Sequence, residues 1–346
     1  MPRRPHILIL EHNNCHDELF ATWVHVLRRL GCRITIACRV DVMRRRPLVY
    51  ATTDSVSWSW YRKHLSKGWP LPLHRFDAVL LNSLEDYNPK PEQPLTSYLH
   101  DIKQPLLAIA HDPRVLGEAE AAFFDGAQRQ LAALFATPKA AHVLHPVYLG
   151  RTPKPVLTAA PRFALQGNIQ FFRRNYQSWL RALERAATDA PAASFRLIGN
   201  DQTADGATLK KRVPAGALVD WQGKVPSYRR YYRLLSECAF LLPLIDDVDS
   251  NCARYFHAGV SSSASLALGL GIVPVLNEAY AAHIGQTDGA VLYAGDAVEA
   301  GISAAMALTP AAYRAKQEWQ HAAQRRLLEK TEAAFAKWLS SVGLRP

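Results

Sequence analysis

The sequence predicts an α/β protein built on doubly wound parallel sheets and divided into two domains. Three observations lead there. Short buried apolar runs alternate with amphipathic helical stretches along the chain, the pattern of parallel strands joined by crossover helices. At 346 residues the chain can fill two hydrophobic cores. Near the middle, RTPKPVLTAAP (151–161) sets three prolines among short side chains and reads as an interdomain linker.

Taken in order, residues 6–10 (HILIL) form a strand, and 18–30 a helix with Leu19, Trp23, Val26, Leu27 and Leu30 on one face. Gly31 stops that helix, and 33–37 makes the second strand. Between Tyr50 and His74 the pattern weakens, and WSWYRKHLSKGWPLPLH is expected to be a tryptophan-rich helix and loop. FDAVLLN (76–82) and PLLAIAH (105–111) are further buried strands. Beyond the linker come strand 163–167, helix 175–187, strands 195–198 and 219–222, helix 227–237, strand 240–244, helix 263–270 and strand 273–276. Residues 311–339 form a long helical tract of alanines and charges. The expected divisions are 1–155, 156–320 and a final helical segment 321–346, with no internal repeat.

Apolar residues at 49% and charged residues at 21% fit a globular chain and exclude a disordered one. No apolar run approaches the roughly 18–20 residues of a membrane-spanning helix. The start, MPRRPHILILEHNN, looks like a signal peptide, but Glu11 and His12 cut its apolar run short, so it reads as a core strand. The expected location is the cytoplasm. Cys15, Cys32, Cys38, Cys238 and Cys252 are odd in number and show no C-x-x-C pair, which argues for reduced structural thiols and against zinc. The net charge of +11 asks for an anionic partner: lipid head groups, a nucleoside diphosphate or nucleic acid. Solvated arginine on helix surfaces is the plain alternative, and no nucleic-acid module is present in the sequence.

Several segments carry chemistry. In FALQGNIQFFRRNYQSWLRAL (163–183) a strand ends at Gly167, where backbone can approach a ligand, and Arg173 and Arg174 stand just before a helix. Arginine's planar fork suits phosphate, although a basic helix start can simply face solvent. FRLIGND (195–201) and WQGKVP (221–226) end strands in turns. YFHAGVSSSASL (255–266) offers Gly259, Ser261, Ser262 and Ser263 at a helix start, where N–H groups and the helix dipole favour anions and a serine also serves as N-cap. Asp246, Asp247 and Asp249 lack compact metal-binding spacing and read as hydroxyl contacts or a polar loop. EHNNCHDE (11–18) gathers Glu11, His12, His16 and Asp17 after the first strand, where Asp17 and Glu18 also favour the helix start. His111 ends another strand, and Asn82, Ser83 and Glu85 a third.

These segments, above all 163–276, resemble the donor half of GT-B glycosyltransferases, close to the family 4 (group 1) enzymes. The resemblance implies two Rossmann-like doubly wound parallel-sheet domains facing a central cleft, with a C-terminal helix crossing back to the first domain. It implies that Gly167 and Asn168 line the donor cleft and that Arg173 or Arg174 pairs with the phosphates. Asn200, at the end of the next strand, would also bind the donor, and Lys224 and Val225 would contact the nucleobase. Tyr255, Ser261, Ser262 and Ser263 would hold the leaving nucleoside diphosphate. His12, His16, Asp17 and His111 are the candidate bases for an acceptor hydroxyl. Neither metal nor cofactor is expected; a UDP- or GDP-sugar is the donor substrate. The chain departs from family 4 in lacking two glutamates separated by seven residues, with Ser265 or a neighbour where the second would fall, which leaves stereochemistry open. Three readings follow: a transferase acting on a carbohydrate or lipid-linked acceptor in envelope polysaccharide or glycolipid synthesis, with peripheral contact at an anionic membrane; a DNA-modifying glucosyltransferase; and a non-catalytic GT-B partner protein.

Overall fold

The computed structural model describes residues 3–50, 56–61, 72–85, 99–189, 193–225, 227–257 and 261–345. The chain forms two compact units. One contains 1–151, 258–260 and 325–346, and the other 152–257 and 261–324.

The first unit is a parallel sheet of β1 (His6–Glu11), β2 (Arg33–Arg39), β3 (Val56–Tyr61), β4 (Ala78–Leu81), β5 (Leu106–Ala110), β6 (Arg129–Ala133) and β7 (His142–Val143). Its order is β3-β2-β1-β4-β5-β6-β7, so the winding reverses between β1 and β4. β1, β4 and β5 are almost wholly buried, as expected of apolar strands covered on both faces. The second unit orders β10 (Val219–Trp221), β9 (Ser194–Ile198), β8 (Arg162–Gln166), β11 (Phe240–Leu241), β12 (Val273–Asn277) and β13 (Val291–Tyr293), again all parallel. Its reversal lies between β8 and β11. In open α/β sheets such reversal points are where ligands bind, outside the carboxyl ends of the strands.

One helix, Pro310–Ser341, contributes to both cores. Tyr313 packs in the second unit's core. Phe335, Trp338 and Leu339 pack in the first unit's, where Phe335 meets Trp23 edge-on at 5.7 Å. Each such buried apolar side chain contributes roughly 1.5–3 kcal/mol. No described helix is long and apolar enough to cross a membrane.

Two expectations need correction. Within the tryptophan-rich stretch, Val56–Tyr61 is a strand parallel to β2 rather than part of a helix. VSWSWY alternates with the period of two that a half-buried strand favours, and Trp58 packs edge-on against Phe20 at 6.5 Å. The remainder of that stretch, 62–71, lies outside the described residues. The expected strand 240–244 stops pairing at Leu241. Pro243 has no N–H to give the ladder, and Leu244 turns left-handed at φ 57°.

Candidate functional site

In the second unit, β8 gives way to Gly167 at φ 101°, a region that favours glycine. A Cβ on Gly167 would lie 3.2 Å from Arg174 Nη2, so the missing side chain lets that guanidinium pack close against the backbone. Arg174 is only 8% exposed. Its Nη1 donates to Pro243 O at 2.6 Å and its Nη2 to Ser263 Oγ at 3.3 Å. Both acceptors are neutral, and among the described residues no carboxylate pairs with Arg174. A buried cation in that position is costly until an anion joins it. The left-handed turn at Leu244, worth roughly 1–2 kcal/mol of strain, lets successive carbonyls serve the site. Pro243 O takes the Arg174 bond, and Leu244 O accepts Asn175 N at 2.9 Å.

Helix Ser262–Leu270 starts beside this point with Ser261 as its N-cap, whose Oγ accepts Ser263 N at 3.3 Å. Ser262 is exposed, whereas Ser263 is fully buried. Gly259 lies outside the described residues. Asn168 is exposed directly after Gly167. Arg173 is half-buried, with its guanidinium carbon 5.5 Å from the centre of the Phe172 ring. The structure therefore gathers Gly167, Arg174, Ser261 and Ser263 at one sheet edge.

Asn200, Lys224 and Val225 belong to neighbouring turns. Asn200 Oδ1 accepts Gln202 N at 3.2 Å, Lys224 is exposed and Val225 is half-buried. Asp201 joins the two turns, since a Cβ on Gly223 would stand 3.3 Å from its Oδ1. Tyr255 packs in a small apolar cluster with Ile245, Cys252, Leu276 and Tyr280. Of the acidic loop, Asp246 is internal, Asp247 is exposed and Asp249 half-buried. Asp246 is fully buried and accepts Asn175 Nδ2 at 2.8 Å, Asp249 N at 2.8 Å and Val248 N at 3.1 Å. Asp247 accepts Asn277 Nδ2 at 2.8 Å. Among the described residues no group of His, Cys, Asp or Glu is arranged to hold a metal.

The first unit carries a second polar cluster at its own reversal point, where β1 and β4 end. Glu11 is fully buried and accepts Asn82 Nδ2 at 2.5 Å, Ser83 Oγ at 2.7 Å and Asn13 N at 2.7 Å. Burial, opposed by those donors and by His16, lifts its carboxyl to about 7. His12 Nε2 lies 2.7 Å from Ser83 O, so in the neutral ring that nitrogen carries the proton. His16 sits at φ 62°, its ring 3.8 Å from that of His111. Burial works against charge on His16, but the Cys15 and Glu18 side chains outweigh it and hold the imidazole well above its ordinary range. His111 goes the other way: burial, then the charge of His16, pushes it down to about 3. Its Nε2 donates to Asn82 O at 3.0 Å, leaving Nδ1 as the lone-pair nitrogen. Asp17, also buried, pairs with Arg45 at 3.1 Å.

The sequence reading missed Gln166, Tyr231 and the Pro243 carbonyl. Only Gln166 left a trace, as a lone amide ending the apolar run FAL.

No sequence family and no curated protein sequence matches this chain. Its fold does have relatives among solved structures. A glycosyltransferase from Rickettsia africae ESF-5 superposes with a TM-score of 0.62 at 9% identity, over 97% of this chain and 99% of that one. Anabaena HepE, solved with UDP and glucose, gives 0.60 at 12% identity, over 98% and 100%. An alpha-glucosyltransferase solved with UDP and a 13-mer DNA gives 0.58 at 12% identity, over 99% and 100%. At such identities the likeness shows the fold, which is of GT-B type: two parallel-sheet α/β domains and a long C-terminal helix.

Proposed function

We propose that this protein is a glycosyltransferase that moves a sugar from a nucleoside-diphosphate donor to an acceptor hydroxyl. The observation that carries the reading is Arg174: a buried guanidinium with neutral partners, packed close against Gly167 and beside the start of helix Ser262–Leu270. That arrangement asks for a phosphate, which it would stabilise most as negative charge builds on the leaving diphosphate. Arg173, half-buried one residue earlier, is suited to a second phosphate oxygen. UDP is the first nucleotide to test, because fold relatives were solved with it. In the first unit, His111 is neutral, but burial and the charge of His16 hold it near 3, too weak a base for the acceptor hydroxyl, so in this scheme the leaving phosphate itself takes that proton. The acceptor we favour is a carbohydrate or lipid-linked hydroxyl at an anionic membrane, from the charge of +11. A DNA acceptor is the second reading, favoured by the fold likeness to the alpha-glucosyltransferase solved with DNA.

The test is thermal unfolding with UDP, GDP, dTDP, ADP and CMP, followed by turnover of the matching sugar nucleotides. A ligand at a hundredfold excess over its Kd adds about 2.7 kcal/mol of stability. The expected result is a shift with one base, lost in the Arg173→Ala, Arg174→Ala double variant. No shift with any nucleotide would sink the assignment, and binding without turnover would point to a non-catalytic partner.

A further inference from the structure

The hydrogen bonds behind Arg174 run deeper than the groups a phosphate would touch. Gln166, the last residue of β8, is 4% exposed and both ends of its amide are engaged. Its Oε1 accepts the Tyr231 hydroxyl at 2.7 Å, and its Nε2 donates to Ser263 Oγ at 2.6 Å. Ser263 Oγ also accepts Arg174 Nη2. The chain Tyr231–Gln166–Ser263–Arg174 thus links helix Tyr228–Ser236, β8, helix Ser262–Leu270 and the loop after Gly167.

The direction of each bond constrains the next. A tyrosine hydroxyl donating to Oε1 fixes which end of the amide is the carbonyl, and so turns the NH₂ end toward Ser263. Ser263 Oγ, held by Gln166, then presents an acceptor to Arg174. With the Pro243 bond alone, the guanidinium plane could rotate about its Nη1 contact. The Ser263 bond fixes a second point, and two points set the orientation of a planar fork.

We propose that Tyr231 and Gln166 are positioning residues for the donor diphosphate, acting through Ser263 to hold the Arg174 plane where it meets the phosphates. This rests on the nucleotide-sugar reading above. Neither residue touches the ligand in this scheme, and their effect falls on the diphosphate and not on the base.

The experiment is calorimetric titration of UDP, GDP, dTDP and ADP, each beside its nucleoside, into wild type, Tyr231→Phe and Gln166→Met, with thermal unfolding as the control for folding. For Tyr231→Phe, the diphosphate that wild type prefers is expected to bind about three- to tenfold more weakly, the scale of one lost hydrogen bond. Its nucleoside should bind as before. Gln166→Met should weaken the diphosphate more, again sparing the nucleoside. Parallel losses for nucleoside and diphosphate, or no loss for either, would overturn the positioning role. Wild type that binds the diphosphate no better than the nucleoside would instead overturn the Arg174 reading itself. If Gln166→Met fails to fold, Tyr231→Phe decides, since it removes a single hydroxyl from a half-buried side chain.

Discussion

At the residue scale, two glycines set the shape of the second unit's site by different means. Gly167 is needed for its backbone, at φ 101°. Gly199 is needed for space, because a Cβ there would stand 1.9 Å from Gly167 O, and that backbone oxygen cannot swing away as a side chain can. Gly199→Ala is therefore expected to push β8 and β9 apart at their carboxyl ends and to cost about 1–3 kcal/mol, as overpacking does. Urea unfolding would measure this, and an unchanged midpoint would refute the close approach. Gly167→Ala should cost about 1 kcal/mol through strain and also crowd the Arg174 guanidinium, so it should weaken nucleotide binding more than its stability loss explains. That Gly167 and the serines would stand at turn and helix start was legible because glycine at a strand end and serine at a helix start have local causes. Gln166 and Tyr231 stand 65 positions apart and gain meaning only from a bond that spans that distance, which no local pattern reports. Asp246 shows the same limit: the acidic run reads as hydroxyl contacts or a polar loop, and only the bonds from Asn175 and two backbone N–H groups set Asp246 apart as internal.

At the element scale, the end of helix Pro310–Ser341 is held to the first unit by polar stitches as well as by Trp338. His145 N donates to Thr331 Oγ1 at 2.9 Å, and Gln130 bridges His142 Nε2 at 2.6 Å to Ser341 Oγ at 2.8 Å. Burial, with Lys330 beside it, pushes His145 down to about 4, and burial with Lys337 lowers His142. A histidine whose folded value lies below its unfolded one binds protons more readily when unfolded. Stability from this seam is thus complete above about pH 6.5 and falls as pH drops from there toward 4. Glu11, lifted to about 7, has the opposite slope, losing stability as pH rises from about 4.5 to 7, so wild type alone would blur the two. The comparison with His145→Gln isolates the seam: the gap between the two proteins in urea midpoint should narrow or reverse from pH 7.5 to pH 4.5. A constant gap would mean that His145 does not titrate with folding. Elements such as β1, β5 and β12 were plain in the sequence as continuous apolar runs. β6, β7 and β13 were not, because RQLAA, HV and VLY are short or mixed and become strands only by adding to an edge already formed.

At the scale of the whole molecule, the net charge of +11 draws on basic residues of both units. Exposed basic side chains include Arg44 and Arg46 after β2, Arg325, Arg326, Lys330 and Lys337 on the long helix, and Arg229, Arg230 and Arg233 in the second unit. Among the described residues the exposed large apolar side chains are Val156, Phe172, Leu218 and Val248, with a single aromatic ring. Charge would contribute to attachment at an anionic membrane at about 1 kcal/mol for each Lys or Arg held near the surface. Such attraction fades within a Debye length of about 10 Å at 0.1 M salt. The protein is therefore expected to sediment with vesicles containing anionic lipid at low salt, to stay in solution with neutral vesicles, and to leave the anionic ones as salt rises to about 1 M, where the Debye length is about 3 Å. Duplex DNA would also be drawn to a basic protein, so affinity at one salt concentration cannot separate the two acceptors. The slope can: a protein built to neutralise Z phosphates loses affinity with a log–log salt slope near −0.9Z. A steep slope on DNA, with no sedimentation on anionic vesicles, would move the acceptor from the membrane surface to the nucleic acid while leaving the donor site at Arg174 untouched.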